Sequence, residues 1–173
     1  DILDGTGQHL KFGGQVIKNV AGYDASRLMV GALGTLGVLL QASLKVLPRP
    51  QSELTLQFEL DEATAIRRMN EWAGQPLPVS AGAWQSGMLS LRLSGANNAV
   101  MQAHAGLGGE PHLHGPEFWR NLRDHTAAFF HDDLPLWRIA VPATTPPLEL
   151  GGRQFVGWGG AERWLKSALP AAE

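Results

Sequence analysis

Cysteine is absent from all 173 residues, which excludes a disulfide framework, a thiolate metal site and a cysteine nucleophile. An excess of positive charge is also missing. Fourteen Lys and Arg stand against sixteen Asp and Glu, for a formal charge of −2, which makes nucleic acid a poor partner. No apolar run is long enough to span a bilayer, because the most apolar stretch, Leu28 to Leu47, is broken by Gly31, Gly34, Gly37, Gln41 and Lys45. The opening Asp1-Ile2-Leu3-Asp4 has neither the basic stretch nor the apolar run of a signal peptide. Lacking an initiator Met, the chain reads as a piece that starts inside a longer protein. Nucleophile elbows, Walker loops and His-Glu-x-x-His motifs do not occur. What is present is a globular balance, 44% hydrophobic and 17% charged, with ample material for a core.

The chain changes character at Pro48-Arg49-Pro50, where two prolines in three residues favour a stiff extended link. The expected division is 1–50 and 51–173. Upstream, Ile2-Leu3 and His9 to Phe12 predict a hairpin around Asp4-Gly5-Thr6-Gly7. Asp24 is placed to cap a short helix through Ala32, and Gly37 to Leu47 reads as a long strand. Downstream, Leu54, Leu56, Phe58 and Leu60 alternate as a half-buried strand should. Asp61 follows as an N-cap for a helix carrying Ala65, Ile66, Met69, Trp72 and Ala73. Ser80 to Gln85 and Met88 to Ser94 predict a hairpin turning at Ser86-Gly87, and a second helix begins near Asn97 or Asn98. Pro116 suits the first turn of a third helix, which would bury Phe118, Trp119, Leu122, Thr126, Phe129 and Phe130. Leu136 to Val141 and Gln154 to Trp158 read as strands, and Trp164, Leu165, Ala168 and Leu169 as a closing short helix. The class is α+β, an antiparallel sheet with helices on one face.

Gly13-Gly14-Gln15-Val16-Ile17-Lys18-Asn19-Val20-Ala21-Gly22-Tyr23-Asp24, leading into Gly34-Thr35-Leu36-Gly37-Val38-Leu39, is the most informative string. Glycines interleaved with small residues let backbone N–H groups approach a bound group. Tight turns use glycine as well, so composition leaves a bound cofactor and simple turn geometry both open. The full string resembles the vanillyl-alcohol-oxidase type of FAD-linked oxidases. Leu136-Trp137-Arg138-Ile139-Ala140-Val141-Pro142 with Thr144-Thr145-Pro146, and Trp158-Gly159-Gly160-Ala161 with Arg163-Trp164, are similar to the cap of the FAD-binding subunit of bacterial glycolate oxidases.

That resemblance implies that 1–50 is the end of a two-part FAD-binding domain and 51–173 a cap domain. It implies backbone contacts to FAD from Gly34, Thr35, Leu36, Gly37, Val38 and Leu39, with Gly22 and Tyr23 near the ribityl chain or ring. The family's pyrophosphate loop is expected upstream of Asp1 and its C-terminal end beyond Glu173, so the fragment alone is expected to be inactive, without FAD and prone to dimerise. The implied activity is oxidation of glycolate, or a similar 2-hydroxy acid such as lactate, in a complex with a second flavoprotein and an iron–sulfur subunit. The implied location is the cytoplasm, peripheral to the inner membrane through that complex. A non-catalytic docking role for the subunit is the alternative, and the tryptophans would suit either core or interface.

Arg138 is the candidate side chain for the reaction. Strand alternation separates it from Trp137, Ile139 and Val141, and a guanidinium on the open face would take a carboxylate as a bidentate pair. A structural salt bridge is the competing reading. His112-Leu113-His114 puts two imidazoles on one side of a strand, without a carboxylate at ligand spacing, so no metal is expected. His104, His125 and His131 read as ordinary helix-associated histidines, the last two solvated. Glu59, Asp61 and Glu62 read as strand-end and capping residues.

Overall fold

The computed structural model describes residues 1–13 and 25–168. They fall into two compact units, Asp1–Pro48 and Arg49–Glu173.

In the first unit, β1 (Ile2–Leu3) pairs antiparallel with β2 (His9–Leu10). The Asp4 carboxylate closes the turn, accepting from the Thr6 and Gln8 amides, both at 2.8 Å, and from the Thr6 hydroxyl at 2.7 Å. The helix expected through Ala32 is one turn, α1 (Ala25–Leu28), and its anticipated cap, Asp24, lies outside the described residues. The long strand expected over 37–47 is only β3 (Val38–Leu39), paired with β1. A strand persists only where a neighbour satisfies its backbone groups. β1 offers two residues, and from Leu40 onward the chain is exposed without regular structure.

The second unit is built on a seven-stranded antiparallel sheet. Its first half comprises β4 (Ser52–Glu59), then, after a helix, the hairpin β5 (Val79–Gln85) and β6 (Met88–Gly95). Ser86 and Gly87 turn that hairpin at φ 50° and 84°, the left-handed pair that matches strand twist. Between β4 and β5 runs α2 (Glu62–Ala73), capped by Asp61, whose carboxylate accepts from the Thr64 amide at 2.9 Å. That bond holds the Asp61 carboxyl below its ordinary value. After β6 come α3 (Asn97–Leu107), the edge strand β7 (Glu110–Pro111) and α4 (Gly115–Arg123). The second half holds β8 (Leu136–Ala140), β9 (Arg153–Gly157) and β10 (Glu162–Lys166). The strand order is β7-β4-β6-β5-β9-β10-β8. Three residue pairs join the halves: Ala83 with Gly157, Trp84 with Val156, and Gln85 with Phe155.

Alternation sorts the side chains into two cores. Leu56, Leu89, Leu91, Leu93 and Val156 meet Ala65, Ile66, Met69 and Trp72 of α2 and Val100 and Ala103 of α3. Each large aliphatic side chain buried there contributes about 1.5–3 kcal/mol. These two helices lie on one face, as expected of the α+β class. α4 departs from that expectation and packs on the opposite face, where Trp119 Nε1 donates to Thr55 Oγ1 at 2.9 Å. A second, aromatic core forms there from Ala83, Phe129 and Phe155, flanked by Phe118, Trp119, Leu122, Phe130 and Trp164.

Two further expectations change. The third helix stops at Arg123 instead of reaching Phe130. His125 takes φ 55°, and Phe129 enters the aromatic core from a separate 3-10 turn, Ala128–Phe130. The closing segment is a strand, not a helix. β10 pairs along its whole length with both β8 and β9, and two flanking ladders outweigh the helical spacing of Trp164, Leu165 and Ala168. Leu169 lies outside the described residues.

Candidate functional site

A cleft of about 1380 Å³ opens on the aromatic face of the sheet, lined by α4, by β5 and β6, and by the second half of the sheet. Arg92, Arg120, Arg123 and Arg138 line it, against Glu53 and Glu162 as the acidic groups. Not all four guanidinia are available. Arg123 is held bidentately by its neighbour Asp124, at 2.7 and 3.0 Å. Arg92 donates from Nε to Ser80 Oγ at 2.9 Å and lies 5.4 Å from the centre of the Trp119 ring.

Arg138 is placed by the β8–β10 register, which sets it directly opposite Trp164. The expected alternation is present: Trp137 and Ile139 are half-buried, while Leu136, Arg138 and Ala140 are exposed. Two residues before Trp164 on the same strand face, Glu162 accepts from Arg138 Nε at 2.6 Å. The guanidinium carbon lies 5.7 Å from the ring centres of both Trp158 and Trp164, within cation–π range. The competing reading therefore has a partner in Glu162, which engages Arg138 through Nε.

The turn bearing Trp158 is strained and firmly anchored. Trp158 has φ 48° and is 72% exposed, an uncommon conformation for a bulky residue. Asn70 of α2 donates to Gly159 O at 2.8 Å, and Arg163 Nε donates to Gly160 O at 2.8 Å. A Cβ on Gly160 would collide with the Ala143 carbonyl. Arg163, 1% exposed, also donates to Thr145 O at 2.7 Å and to Glu62 Oε1 at 3.1 Å. Burial pushes the Glu62 carboxyl up and the Arg163 guanidinium down, each opposed by the other's charge. Glu62, read from sequence as a capping residue, is thus half of a buried ion pair. Arg163 entered the sequence reading only within the family resemblance and Asn70 not at all, since their partners lie 101 and 89 residues away. The local signal was a pair of charges, Glu162 and Arg163, inside the otherwise uncharged stretch from Trp158 to Leu165.

Of the glycine string, Gly22 and Tyr23 lie outside the described residues. Leu33 and Gly34 both take positive φ, 51° and 79°. Thr35 Oγ1 donates to Ala32 O at 2.6 Å, and Leu36, Val38 and Leu39 are exposed. A Cβ on Gly34 would meet nothing within 4 Å, so that backbone is open to a flat ligand. Gly37 differs: at φ 139° its Cβ would stand 2.6 Å from Leu3 O. Strand β1 therefore accounts for Gly37 without a ligand. The exposed apolar run and open Gly34 backbone leave room for a bound group.

The histidines bring no metal site together. His112 packs edge-on against Phe118 at 5.6 Å, and no group of three or more metal-binding side chains occurs among the described residues. His125 is exposed yet not merely solvated, stacking on Phe130 at 4.5 Å.

No family model and no solved structure matches the chain. Curated proteins do. The glycolate oxidase subunit GlcE of Escherichia coli (strain K12) is 48% identical over 166 residues, 96% of this chain and 47% of that protein. The glycolate oxidase subunit GlcD of Bacillus subtilis (strain 168) is 41% identical over 56 residues, 32% of this chain and 12% of that protein. A D-lactate dehydrogenase of Anaerostipes hadrus is 43% identical over 51 residues, 30% of this chain and 11% of that protein. The chain thus spans about half the length of GlcE and much less of the others. Identity of this level, sustained through nearly every residue, means that the chain belongs to the family of the glycolate oxidase subunit GlcE, within the FAD-linked oxidases.

Proposed function

We propose that the protein to which this chain belongs is the FAD-binding subunit of a glycolate oxidase complex. It would support oxidation of glycolate to glyoxylate beside a second flavoprotein and an iron–sulfur subunit, on the cytoplasmic side of the membrane. The 48% identity to GlcE over 96% of the chain carries this reading. Residues 1–50 are assigned to the flavin domain and 51–173 to the cap. No helix among the described residues is long and apolar enough to cross a membrane.

Gly34, Thr35, Leu36, Val38 and Leu39, with Gly22 and Tyr23, would hold the flavin, while Gly37 keeps β3 against β1. Bound FAD supplies the two-electron acceptor. Arg138 would hold the substrate carboxylate through its terminal nitrogens, while Glu162 occupies Nε. The carboxylate would thereby be kept fixed while the carbinol is oxidised to the carbonyl.

The test is flavin content and glycolate-dependent dye reduction in the intact subunit, first alone and then assembled. Stoichiometric flavin in the isolated subunit and a lowered kcat/KM in Arg138→Ala are the expected results. Losing a charge-assisted contact costs about 1.5–3 kcal/mol, or roughly ten- to a hundredfold in affinity. Arg138→Lys should fall between, because an ammonium lacks the planar fork.

A docking role is favoured by one observation, the exposed Trp158 beside an exposed Arg138, residue types enriched at interfaces. A colourless isolated subunit whose Trp158→Ala variant fails to assemble would select it.

A further inference from the structure

Glu162 gives the Arg138 site a property that an isolated arginine would lack. Its carboxylate takes the Nε edge of the guanidinium at 2.6 Å, and no other hydrogen bond of Arg138 occurs among the described residues. The two indoles flank the guanidinium, each ring centre 5.7 Å from its carbon, and leave the side chain open to the cleft. One edge with two terminal nitrogens is left, the width of one carboxylate. Glu162 is only 14% exposed, so water screens its charge poorly. Room for that charge is made by Gly157, where an added Cβ would stand 3.2 Å from Glu162 Oε2. The Trp158 wall is fixed in advance by Asn70 and Arg163 from beneath.

We propose that Glu162 is the specificity-determining partner of Arg138, making a site that accepts a 2-hydroxy monocarboxylate and rejects a 2-hydroxy dicarboxylate. This rests on Arg138 being the substrate-carboxylate residue. The Arg138–Glu162 pair is neutral as a unit, and the first carboxylate of a ligand uses the remaining edge. A second carboxylate on the same small ligand faces Glu162 with no cation of the pair left to balance it, and like charges a few ångströms apart repel strongly when poorly hydrated.

The experiment uses the assembled oxidase with glycolate as substrate and tartronate, which is glycolate with one further carboxylate, as ligand. Tartronate affinity is measured by titration calorimetry and glycolate by its KM, in wild type, Glu162→Gln, Glu162→Asp and Arg138→Ala. Glu162→Gln keeps an acceptor for Nε and removes the charge. Tartronate should then bind at least about tenfold more tightly, a larger change than any in the glycolate KM. Glu162→Asp keeps the charge on a shorter arm, so tartronate stays weak while the glycolate KM rises severalfold. If Glu162→Gln moves both ligands equally, or neither, the specificity role is overturned although Arg138 stands. An unchanged glycolate KM in Glu162→Asp overturns the positioning role even if the Gln variant does not assemble. Wild-type behaviour of Arg138→Ala toward both ligands instead removes the reading beneath the proposal, and the proposal with it.

Discussion

Neighbouring acids at the start of α2 behave in opposite ways. Asp61 is exposed and accepts from the Thr64 amide, which holds its carboxyl below the ordinary value. Its contribution to stability is therefore present above the unfolded-state value and is lost as pH falls through the lower folded one. Glu62 is raised by burial, so its ionised form is disfavoured in the fold, and the stability linked to it declines as pH climbs through the raised value. Urea midpoints between neutral and strongly acidic pH should thus fall less steeply for Asp61→Asn than for the unaltered protein. Glu62→Gln should not share that flattening. Arg163 matters more. Truncating it strands Glu62 and leaves the Gly160 and Thr145 carbonyls without their donor. Breaking a buried pair costs about 3–5 kcal/mol, a large part of the 5–15 kcal/mol typical of a folded domain. Arg163→Ala should lower the melting temperature markedly and quench the rigidity of Trp158, seen as increased fluorescence depolarisation.

Among the elements, β3 depends on one residue. Gly37→Val sets a branched side chain against Leu3 O from a left-handed backbone, and such strain alone costs about 1–3 kcal/mol. Amide exchange at Leu3 and Val38 should accelerate in that variant, whereas Gly34→Ala, with open space around it, should leave both protected. Equal acceleration in both variants would mean that the loop, not the pairing, sets the requirement. On the opposite side of the second unit's sheet from α2 and α3, Phe129 is the buried centre of the aromatic core. Phe129→Ala should cost about 3–5 kcal/mol, measurable as a shift in denaturation midpoint. Strand, helix and turn chemistry were legible for α2, α3 and the β5–β6 hairpin because their patterns are local: an Asp61 cap, a helical apolar stripe, a Ser86-Gly87 turn. β10 was not legible, since apolar residues at 164, 165 and 168 suit a helix until β8 and β9 supply ladders on both sides.

Two units of unlike texture make up the described molecule. Large apolar side chains of the first stand exposed from Leu28 to Leu47, Leu33 reaching 95%, far beyond the scattered exposure normal for a soluble surface. Such a surface seeks cover, so this chain on its own should bind a hydrophobic dye and scatter light as a species heavier than 18.6 kDa at high concentration. A strictly monomeric, dye-silent chain would contradict this. The segment between the units is exposed and irregular, which makes it a site for proteolysis. Trypsin should cut after Lys45 and spare Arg49, whose following residue is proline, releasing a resistant second unit identifiable by mass.

What the sequence by itself determined was whatever a short stretch can specify: the α+β class, most element positions and the family resemblance in the glycine string and the Trp158-Gly159-Gly160-Ala161 turn. Arg138 was legible as an exposed strand residue because period-two alternation is a local property. Its partner was not, because Glu162 lies 24 residues away and reaches it only through the β8–β10 register. The Arg163–Glu62 pair and the Asn70 anchor depend likewise on where α2 settles against the second half of the sheet. Tertiary structure also decided which side of the sheet α4 covers. Amphipathicity tells a helix that it must bury one face but not which surface receives it, and here the Thr55–Trp119 hydrogen bond and the aromatic residues around Phe129 made that choice.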